Sequence, residues 1–295
     1  MDEIDVRMIM ELAINPRSTF RELAATLGMS VNAVYKRFQS LCDQGVLRAF
    51  LASPSPLVYG TKMFFLMANY NPIEEDKVLS YLESDDRVIY VYILSGNVIY
   101  AIVLLRPGDD VKSVRDHLVQ VAGLKDTLCD TINLPAMGSL DGEDHAIIRA
   151  LHENCRMSLK EVAECTGISM KTVRQRFQKM RNEGLIWTRL SWSPLSSGDH
   201  FTFLLITLTD PDLRAGLVNK LLREHMPPII GIVAPYERSD LILLNLWTHN
   251  LIDTHEARRL LSEAGTVSTL QYHVLIDMRE NHCWLDRISE GISQP

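Results

Sequence analysis

Two stretches of the chain place polar and basic side chains opposite an apolar face. In residues 30–43, Val34, Phe38 and Leu41 follow spacings of four and three, which puts them on one side of a helix. Residues 169–182 repeat this pattern. The opposite faces carry mainly hydroxyl, amide and cationic groups, namely Ser30, Asn32, Ala33, Lys36 and Gln39, then Ser169, Lys171, Thr172, Arg174, Gln175, Lys179 and Arg181. Such groups donate hydrogen bonds to phosphates or read base edges in a major groove.

The side-chain types predict two roles within this set. Phosphate contacts are expected from the cations Lys36, Lys171, Arg174, Lys179 and Arg181. Base contacts are expected from Ser30, Asn32, Ala33, Gln39, Lys171, Thr172 and Gln175. Two further cations, Arg37 and Arg176, lie beside the apolar face. They are open to two interpretations, contact with phosphate or ion pairs with Glu22 and Glu161.

Both stretches belong to an internal repeat in which residue n corresponds to residue n + 139. Between residues 2–47 and 141–186, 15 of 46 positions are identical without a gap. The identical pairs include Arg17 with Arg156 and Gly28 with Gly167. A repeat of this length indicates duplication of a whole structural unit.

Each copy of the repeat predicts three helices. Thr19 with Glu22, and Ser158 with Glu161, form capping-box patterns at the start of the second helix. A glycine-containing turn of three residues then leads to a third helix that begins after Ser30 or Ser169. This order is typical of a helix-turn-helix. Two β-prone stretches follow and leave room for a wing, residues 46–52 and 185–192.

The segments after each helical repeat share a second pattern. Residues 61–133 predict strand, helix, strand, strand, helix, strand, and residues 200–276 predict the same order. The expected strands are 61–70, 87–94, 98–105 and 126–133, then 200–209, 228–234, 241–248 and 267–276. The expected helices are 74–84 and 111–122, then 213–225 and 252–264. A βαββαβ order is the ferredoxin-like plan.

The predicted fold class is therefore α+β, with two winged helix-turn-helix domains alternating with two ferredoxin-like domains. The expected division is 1–53 for the first helix-turn-helix, 61–133 for the first ferredoxin-like domain, 134–140 for a breaker-rich linker, 141–192 for the second helix-turn-helix, 200–276 for the second ferredoxin-like domain and 277–295 for a tail that adds one short helix.

Composition restricts the function classes. The chain has 295 residues, a net charge of −7 and 46% hydrophobic residues, as in soluble globular proteins. No apolar run approaches the ~20 residues of a membrane span, and the start of the chain does not resemble a secretory signal, so a cytoplasmic location is expected. Positive charge is local, because residues 30–50 sum to +2 and residues 169–189 sum to +5. This distribution predicts salt-sensitive DNA binding that is stronger at the second copy.

The helical repeats resemble the N-terminal domain of Lrp/AsnC transcription regulators. The resemblance rests on Asp5, Ile9, Leu12, Arg17, Glu22, Leu23, Ala24, Gly28, Ser30, Val34, Arg37, Leu41, Gly45 and Val46, and on Asp144, Ile148, Leu151, Arg156, Glu161, Val162, Ala163, Gly167, Ser169, Val173, Arg176, Gly184, Leu185 and Ile186. It implies a non-enzymatic regulator that binds double-stranded DNA and associates through its ferredoxin-like domains. A fused double copy implies an internal pseudo-dimer with two non-identical readers and an asymmetric DNA site.

The resemblance is weaker at the site where family members sense amino acids. Those members have Gly-x-x-Asp between the second and third strands of the sheet domain. The first copy has Gly96 without the acid, and the second copy has Asp240 within Tyr236–Asp240 but no glycine three residues before it. A small-molecule effector of unknown identity is therefore a weak expectation at Gly96 and Asp240, and no cofactor is expected.

Three rival interpretations remain open. Siroheme decarboxylases also pair Lrp-like subunits, and the sequence offers His117, His249, His255 and His273, together with a short match at Asn245 to Thr248. A redox sensor would use Cys42, Cys155 or Cys165, but these lack Cys-x-x-Cys spacing, and His282-Cys283 has no spaced partner. The chain has no nucleophile-elbow or phosphate-loop motif. The third interpretation is an architectural or partner-binding protein with weak sequence preference, for which strands within 87–105 and 228–248 are candidates for a subunit interface.

Overall fold

The computed structural model describes residues 1–223, 229–235, 238–263 and 265–291. The first copy contains α1 (Glu3–Ile14), α2 (Phe20–Leu27), α3 (Val31–Asp43), β1 (Leu47–Pro54), α4 (Pro56–Tyr59), β2 (Lys62–Asn69), α5 (Glu75–Ser84), β3 (Val88–Leu94), β4 (Val98–Leu104), α6 (Val111–Val121) and β5 (Lys125–Asn133). The second copy contains α7 (Gly142–Leu151), α8 (Leu159–Thr166), α9 (Met170–Asn182), β6 (Ile186–Trp192), β7 (His200–Leu208), α10 (Arg214–Arg223), β8 (Ile229–Val233), β9 (Leu241–Thr248), α11 (Leu251–Glu263), β10 (Val267–Glu280) and α12 (Trp284–Ser289).

The three helices of each repeat form where their caps and apolar spacing predict. Asp2, Thr19 and Ser30 cap α1, α2 and α3, and Asp141, Ser158 and Ser169 cap the equivalent helices. Both second helices end at a glycine with positive φ, 66° at Gly28 and 72° at Gly167, a conformation that glycine adopts without strain. The apolar faces of the three helices meet in one core in each copy.

The strand after each helix-turn-helix pairs with its counterpart in the other copy. β1 and β6 form a two-stranded antiparallel ribbon, with Phe50 opposite Leu190 and Leu51 opposite Arg189. The β-prone stretches 46–52 and 185–192, which left room for a wing, correspond to these two paired strands. Each strand also adds a side chain to the other copy's helical core, Leu190 to the first core and Ala52 to the second. The ribbon therefore joins the two helix-turn-helix units directly.

The remaining strands form one eight-stranded sheet in the order β5-β2-β4-β3-β10-β7-β9-β8. Each half has the strand order expected of a ferredoxin-like βαββαβ unit. The halves join where β3 pairs antiparallel with the end of β10, with Leu94 opposite Leu275 and Tyr90 opposite Glu280. The strand expected at 267–276 therefore extends to Glu280, because its last residues have a pairing partner in the first copy.

The two half-sheets pack face to face. Phe65 and Tyr100 of the first half share one core with Phe201, Phe203 and Leu243 of the second. The outer face of the first half is covered by α5 and α6, and that of the second half by α10 and α11. The strands β2, β3, β4, β7 and β9 are therefore mostly buried on both faces, which explains their nearly continuous apolar runs, whereas most side chains of β10 are half-buried or exposed.

The C-terminal helix α12 packs against the first copy. The Trp284 indole N–H donates to the Leu104 carbonyl (3.0 Å) and the ring contacts Tyr59 edge-on, with centroids 5.3 Å apart. This helix confirms the short helix expected in the tail. The expected strand at 228–234 and helices at 213–225 and 252–264 are confirmed except at residues 224–228 and 264, which lie outside the described residues. None of the described helices is both long and apolar enough to cross a membrane.

Candidate nucleic-acid interface

The helices α3 and α9 present the predicted reading residues along one face. Asn32, Lys36 and Gln39 are exposed on α3, whereas Val34 and Phe38 are buried. On α9 the exposed residues are Lys171, Arg174, Gln175, Lys179 and Arg181. Ala33 and its counterpart Thr172 are half-buried, so they face the edge of each helix surface. The arrangement gathers the predicted residues on two equivalent helices.

Hydroxyl groups at the start of both reading helices are engaged in capping. The Ser30 Oγ accepts from the Ala33 N–H (3.2 Å), and the Ser169 Oγ accepts from the Thr172 N–H (3.2 Å). The Ser169 and Thr172 hydroxyls are also 2.8 Å apart. The capping contacts therefore fix the start of α3 at Ser30 and the start of α9 at Ser169.

In the part of the chain that the structure describes, no carboxylate lies within ion-pair distance of the exposed cations of α9, although Arg181 is near enough to Glu22 of the first copy to contribute to lowering the pKa of that carboxyl. Lys171, Arg174, Lys179 and Arg181 are therefore available for phosphates. The same positions of the first copy hold Asn32, Tyr35, Ser40 and Cys42, none of them cationic. Tyr35 is 47% exposed and contacts the Phe20 ring edge-on, with centroids 5.4 Å apart. The helices α3 and α9 are equivalent in fold and different in surface chemistry.

The arginines beside the buried phenylalanines pair with the first helix of their own repeat. Arg37 Nη1 lies 2.7 Å from carboxylate oxygens of both Asp2 and Asp5. In the second copy, Arg176 contacts three carboxylates at 2.6–3.0 Å, those of Asp141, Glu143 and Asp144. The expected pairing with Glu22 and Glu161 is not what forms, because both glutamates accept from their capping residues instead. The ion pairs hold α3 on α1 and α9 on α7.

Arg189, one of the cations in the basic stretch 169–189, is buried and does not lie on the surface. The side chain of Arg189 in β6 is only 7% exposed, and its Nη2 contacts both carboxylate oxygens of Asp286 at 2.7 Å. Asp286 is fully buried in α12. The local charge available to a nucleic acid is therefore smaller than the sequence sum of residues 169–189, since Arg189 and Arg176 are both neutralised.

Two arginines outside the predicted DNA-contacting faces of α3 and α9 connect the copies. Arg17 donates from Nη1 to the Cys155 carbonyl, and its guanidinium carbon lies 4.7 Å from the centroid of the Phe177 ring. Arg156 donates to the carbonyls of Pro16 and Ser18. The sequence carries a signal for a role of these two arginines. They are identical in the two copies, and they lie in loops where they neither cap a helix nor belong to the apolar pattern.

The two weak effector residues lie in different half-sheets. Gly96 is in the turn between β3 and β4, with a φ of 82°. Asp240 follows β8 and is bound by the Arg238 guanidinium through two hydrogen bonds of 2.9 Å. Arg238 lowers the pKa of Asp240 below its ordinary value. The structure does not bring Gly96 and Asp240 together, and Tyr236 and Glu237 lie outside the described residues.

The histidines considered for an enzyme are dispersed. His117 and His255 lie on the outer helices α6 and α11, His273 Nδ1 contacts the Ser95 carbonyl (2.9 Å), and His249 Nδ1 is 3.3 Å from an Asp199 oxygen. Within the described ranges, no group of three or more histidine, cysteine or acidic side chains is arranged to hold a metal ion. The described cysteines are all free thiols.

The fold is that of a duplicated protein, with two helix-turn-helix units joined by the β1–β6 ribbon and two ferredoxin-like half-sheets joined by β3 and β10. The AsnC-type helix-turn-helix domain matches the chain twice, at residues 1–41 and 140–181. The HTH-type transcriptional regulator LrpA of Mycobacterium tuberculosis is 30% identical over 106 residues, which cover 35% of this chain and 71% of that protein. The chain belongs to the Lrp/AsnC family, in tandem duplicated form.

Two further similarities describe the halves and the whole. The HTH-type transcriptional regulator Ptr1 of Methanocaldococcus jannaschii is 29% identical over 136 residues, 43% of this chain and 90% of that protein. The crystal structure of the siroheme decarboxylase NirDL superposes with a TM-score of 0.60 at 10% identity and covers 98% of both chains. This second similarity establishes a shared fold along the whole chain and nothing about the reaction.

Proposed function

We propose that this protein is a sequence-specific, DNA-binding transcription regulator in which one chain acts as an internal pseudo-dimer. The relatives named above are transcriptional regulators of about half its length. The observation that carries the proposal is the pair of equivalent helices α3 and α9, each with an exposed polar face and an apolar face buried in its own core. The expected four-domain division, with residues 134–140 as linker, is part of this proposal.

The two readers have different roles in this proposal. Lys171, Arg174, Lys179 and Arg181 on α9 supply phosphate contacts and most of the salt-dependent affinity. The face of α3 has one cation, Lys36, next to Asn32 and Gln39, whose amides suit base edges. A protein with two unlike readers binds two unlike half-sites, so the preferred DNA site is asymmetric rather than palindromic.

Selection from a random DNA pool, followed by a salt titration on the enriched sequence, tests the function. A two-part asymmetric site is expected, with a slope of log affinity against log salt of about −0.9 for each phosphate contacted. A palindromic site would contradict the two-reader proposal, because identical half-sites require readers of identical chemistry. A shallow slope without an enriched sequence would contradict DNA reading altogether.

Association of two or more chains through the ferredoxin-like domains is also proposed. Of the strands expected to form that interface, β3 is used inside the chain because it pairs with β10, whereas β8 lies at the edge of the sheet and pairs only with β9 in the described residues. Apolar side chains that remain exposed in the second ferredoxin-like domain support another surface, with Ile252 of α11 70% exposed and Ile276 of β10 58% exposed. Analytical ultracentrifugation tests this proposal, with a mass above 33.5 kDa as the expected result.

A tetrapyrrole enzyme is the second candidate, supported by the fold shared with NirDL. The described inner faces of the half-sheets are filled by aromatic rings, and Tyr92, Tyr100 and Phe203 have centroids 5.4–5.7 Å apart. Titration with iron-uroporphyrin III, an analogue of which is bound in a NirDL structure, separates the two candidates. No shift of the porphyrin absorption band is expected, whereas a stoichiometric shift would favour the enzyme.

A further inference from the structure

Arg17 and Arg156 make reciprocal contacts across the boundary between the two helix-turn-helix units. Each lies in the loop that follows the first helix of its own unit. The guanidinium of Arg17 lies over Phe177 at 4.7 Å, and that of Arg156 lies over Phe38 at 5.4 Å. These rings are equivalent residues of the reading helices α9 and α3. Each arginine therefore contacts the reading helix of the other copy.

Hydrogen bonds restrain both guanidinium groups. Arg156 donates from its two terminal nitrogens to two carbonyls of the first unit, with 2.9 Å to the Ser18 oxygen. Arg17 donates to the carbonyl of Cys155, the residue next to Arg156. The contact of Arg156 is the more extensive, since its guanidinium also lies over Phe20 and Phe50 at 5.6 and 5.1 Å. A planar fork that stacks and donates at once constrains distance and rotation together.

Neither arginine has a carboxylate within ion-pair distance in the described part of the chain. Both are half-buried, and burial lowers the pKa of both guanidinium groups. Their interactions are with carbonyls and aromatic rings of the opposite unit, so the favourable contacts depend on the two units keeping one relative position. A purely local stabilising role would place their partners in their own unit, as for Arg37 and Arg176.

We propose that Arg17 and Arg156 are positioning residues that set the separation and rotation of the two reading helices, and thereby the spacing of half-sites that this protein accepts. This inference rests on the proposed DNA-reading function. Each base pair inserted between half-sites rotates one of them by about a tenth of a turn relative to the other. A rigid pair of readers therefore accepts one spacing, and a loosened pair accepts several.

The test has one arm with DNA and one without. In the first, the selected half-sites are separated by spacers that vary in steps of one base pair. The affinity of the wild type is expected to fall by about tenfold when the spacer is one base pair longer or shorter than the preferred length. In the R17K/R156K variant, which keeps both charges but loses the planar fork, that ratio is expected to fall to about threefold. Lys179→Ala is the control, because it removes a cation that does not contact the other unit and is expected to lower affinity equally at every spacing.

The second arm measures the distance between spin labels at the equivalent exposed residues Ser40 and Lys179 in DNA-free protein. The labels are attached through a non-natural amino acid, because the chain has five native cysteines. A single narrow distribution is expected for the wild type, and one about twofold wider for R17K/R156K. If the double variant does not fold, the single variants R17K and R156K are measured in the same way.

The outcomes separate the two proposals. An unchanged distance distribution in folded variants overturns the positioning role, whatever the DNA arm shows. An unchanged spacing profile in variants that do bind DNA overturns it as well. If the wild type selects no DNA sequence, the proposed function fails, while the distance measurement still decides whether the arginines hold the units in place.

Discussion

Phe50 and Arg189 occupy equivalent positions of the duplicated sequence and are buried in unlike surroundings. The Phe50 ring stacks on Phe38 with centroids 5.8 Å apart, on the helical core of its own copy. Arg189 instead reaches α12 and binds Asp286 through both carboxylate oxygens. The two equivalent positions of the ribbon therefore differ in role, since Phe50 packs on a helical core and Arg189 forms a buried ion pair with the C-terminal helix.

Removing Asp286 is expected to destabilise the fold. In Asp286→Ala the guanidinium of Arg189 would be left buried without its main partner, since Glu280 lies 3.9 Å from its Nε. Breaking a buried ion pair from one side costs about 3–5 kcal/mol. Urea unfolding should show this loss in the free energy of unfolding.

An exposed ion pair provides the matched control. Asp240 binds Arg238 with similar geometry, but the Arg238 side chain is 46% exposed. Asp240→Ala is expected to change the free energy of unfolding by less than about 1 kcal/mol. Equal effects of the two substitutions would contradict the role assigned to burial.

Adding a positive charge to α3, or removing one from α9, should change the salt dependence of DNA affinity. Ser40 and Lys179 are equivalent and exposed, so Ser40→Lys adds a cation to α3 and Lys179→Ser removes one from α9. The slope of log affinity against log salt is expected to become steeper by about one unit in the first variant and shallower by about one unit in the second. Filter binding at four salt concentrations measures both, and slopes that do not move would remove these positions from the interface.

Neighbouring arginines of α9 should differ in their effect on DNA binding. Arg174 is exposed without a carboxylate partner in the described chain, whereas Arg176 is held by Asp141, Glu143 and Asp144. Arg174→Gln is expected to weaken DNA binding and reduce the salt slope by about one, and Arg176→Gln to leave the slope unchanged. The reverse order would show that Arg176 leaves its ion pairs to contact phosphate.

Acid should destabilise the second helix-turn-helix through its capping carboxylates. The N–H of Asp144, followed by Arg176, lowers the pKa of Asp141, and the Ser158 hydroxyl and N–H lower that of Glu161. Because both carboxyls bind protons more readily in the unfolded chain, their contribution is present above about pH 4.3 and is lost as pH falls through the lowered folded values.

Urea unfolding at stepped pH checks this contribution. The free energy of unfolding is expected to decline below about pH 4, and less steeply in the variant D141N/E161Q, which keeps capping groups without the titrating charges. Identical slopes in variant and wild type would place the acid sensitivity elsewhere.

The thiols should react in order of burial. Cys165 is exposed, whereas burial raises the pKa of Cys155 to about 11 and that of Cys283 to about 12. Because the thiolate is the reactive form, a thiol reagent should modify Cys165 first and the two buried thiols only on unfolding. Mass spectrometry of a timed reaction measures the order, and C165S should lack the fast phase. Fast modification of Cys283 in folded protein would show that α12 detaches.

The local elements of this protein could be predicted from its sequence with good fidelity. The capping boxes at Thr19 and Ser158 and the apolar spacing of Val34, Phe38 and Leu41 define their helices through contacts within a few residues. The alternating order of strands and helices in residues 61–133 and 200–276 likewise follows from patterns within short stretches of the chain. The predicted reading residues lie on α3 and α9, but their contacts with DNA stay a prediction.

The repeat, the family resemblance and the type of each element follow from periodicity and from residues close in the chain, so they can be inferred without coordinates. The pairing of β1 with β6, the pairing of β3 with β10 and the contacts of Arg17 and Arg156 with the other copy depend on how distant segments meet in the folded chain. The partners of Arg156 are about 140 residues away, and no local pattern encodes which copy a strand or a guanidinium will contact. Burial of Arg189 has the same cause, since its partner Asp286 lies 97 residues further along the chain.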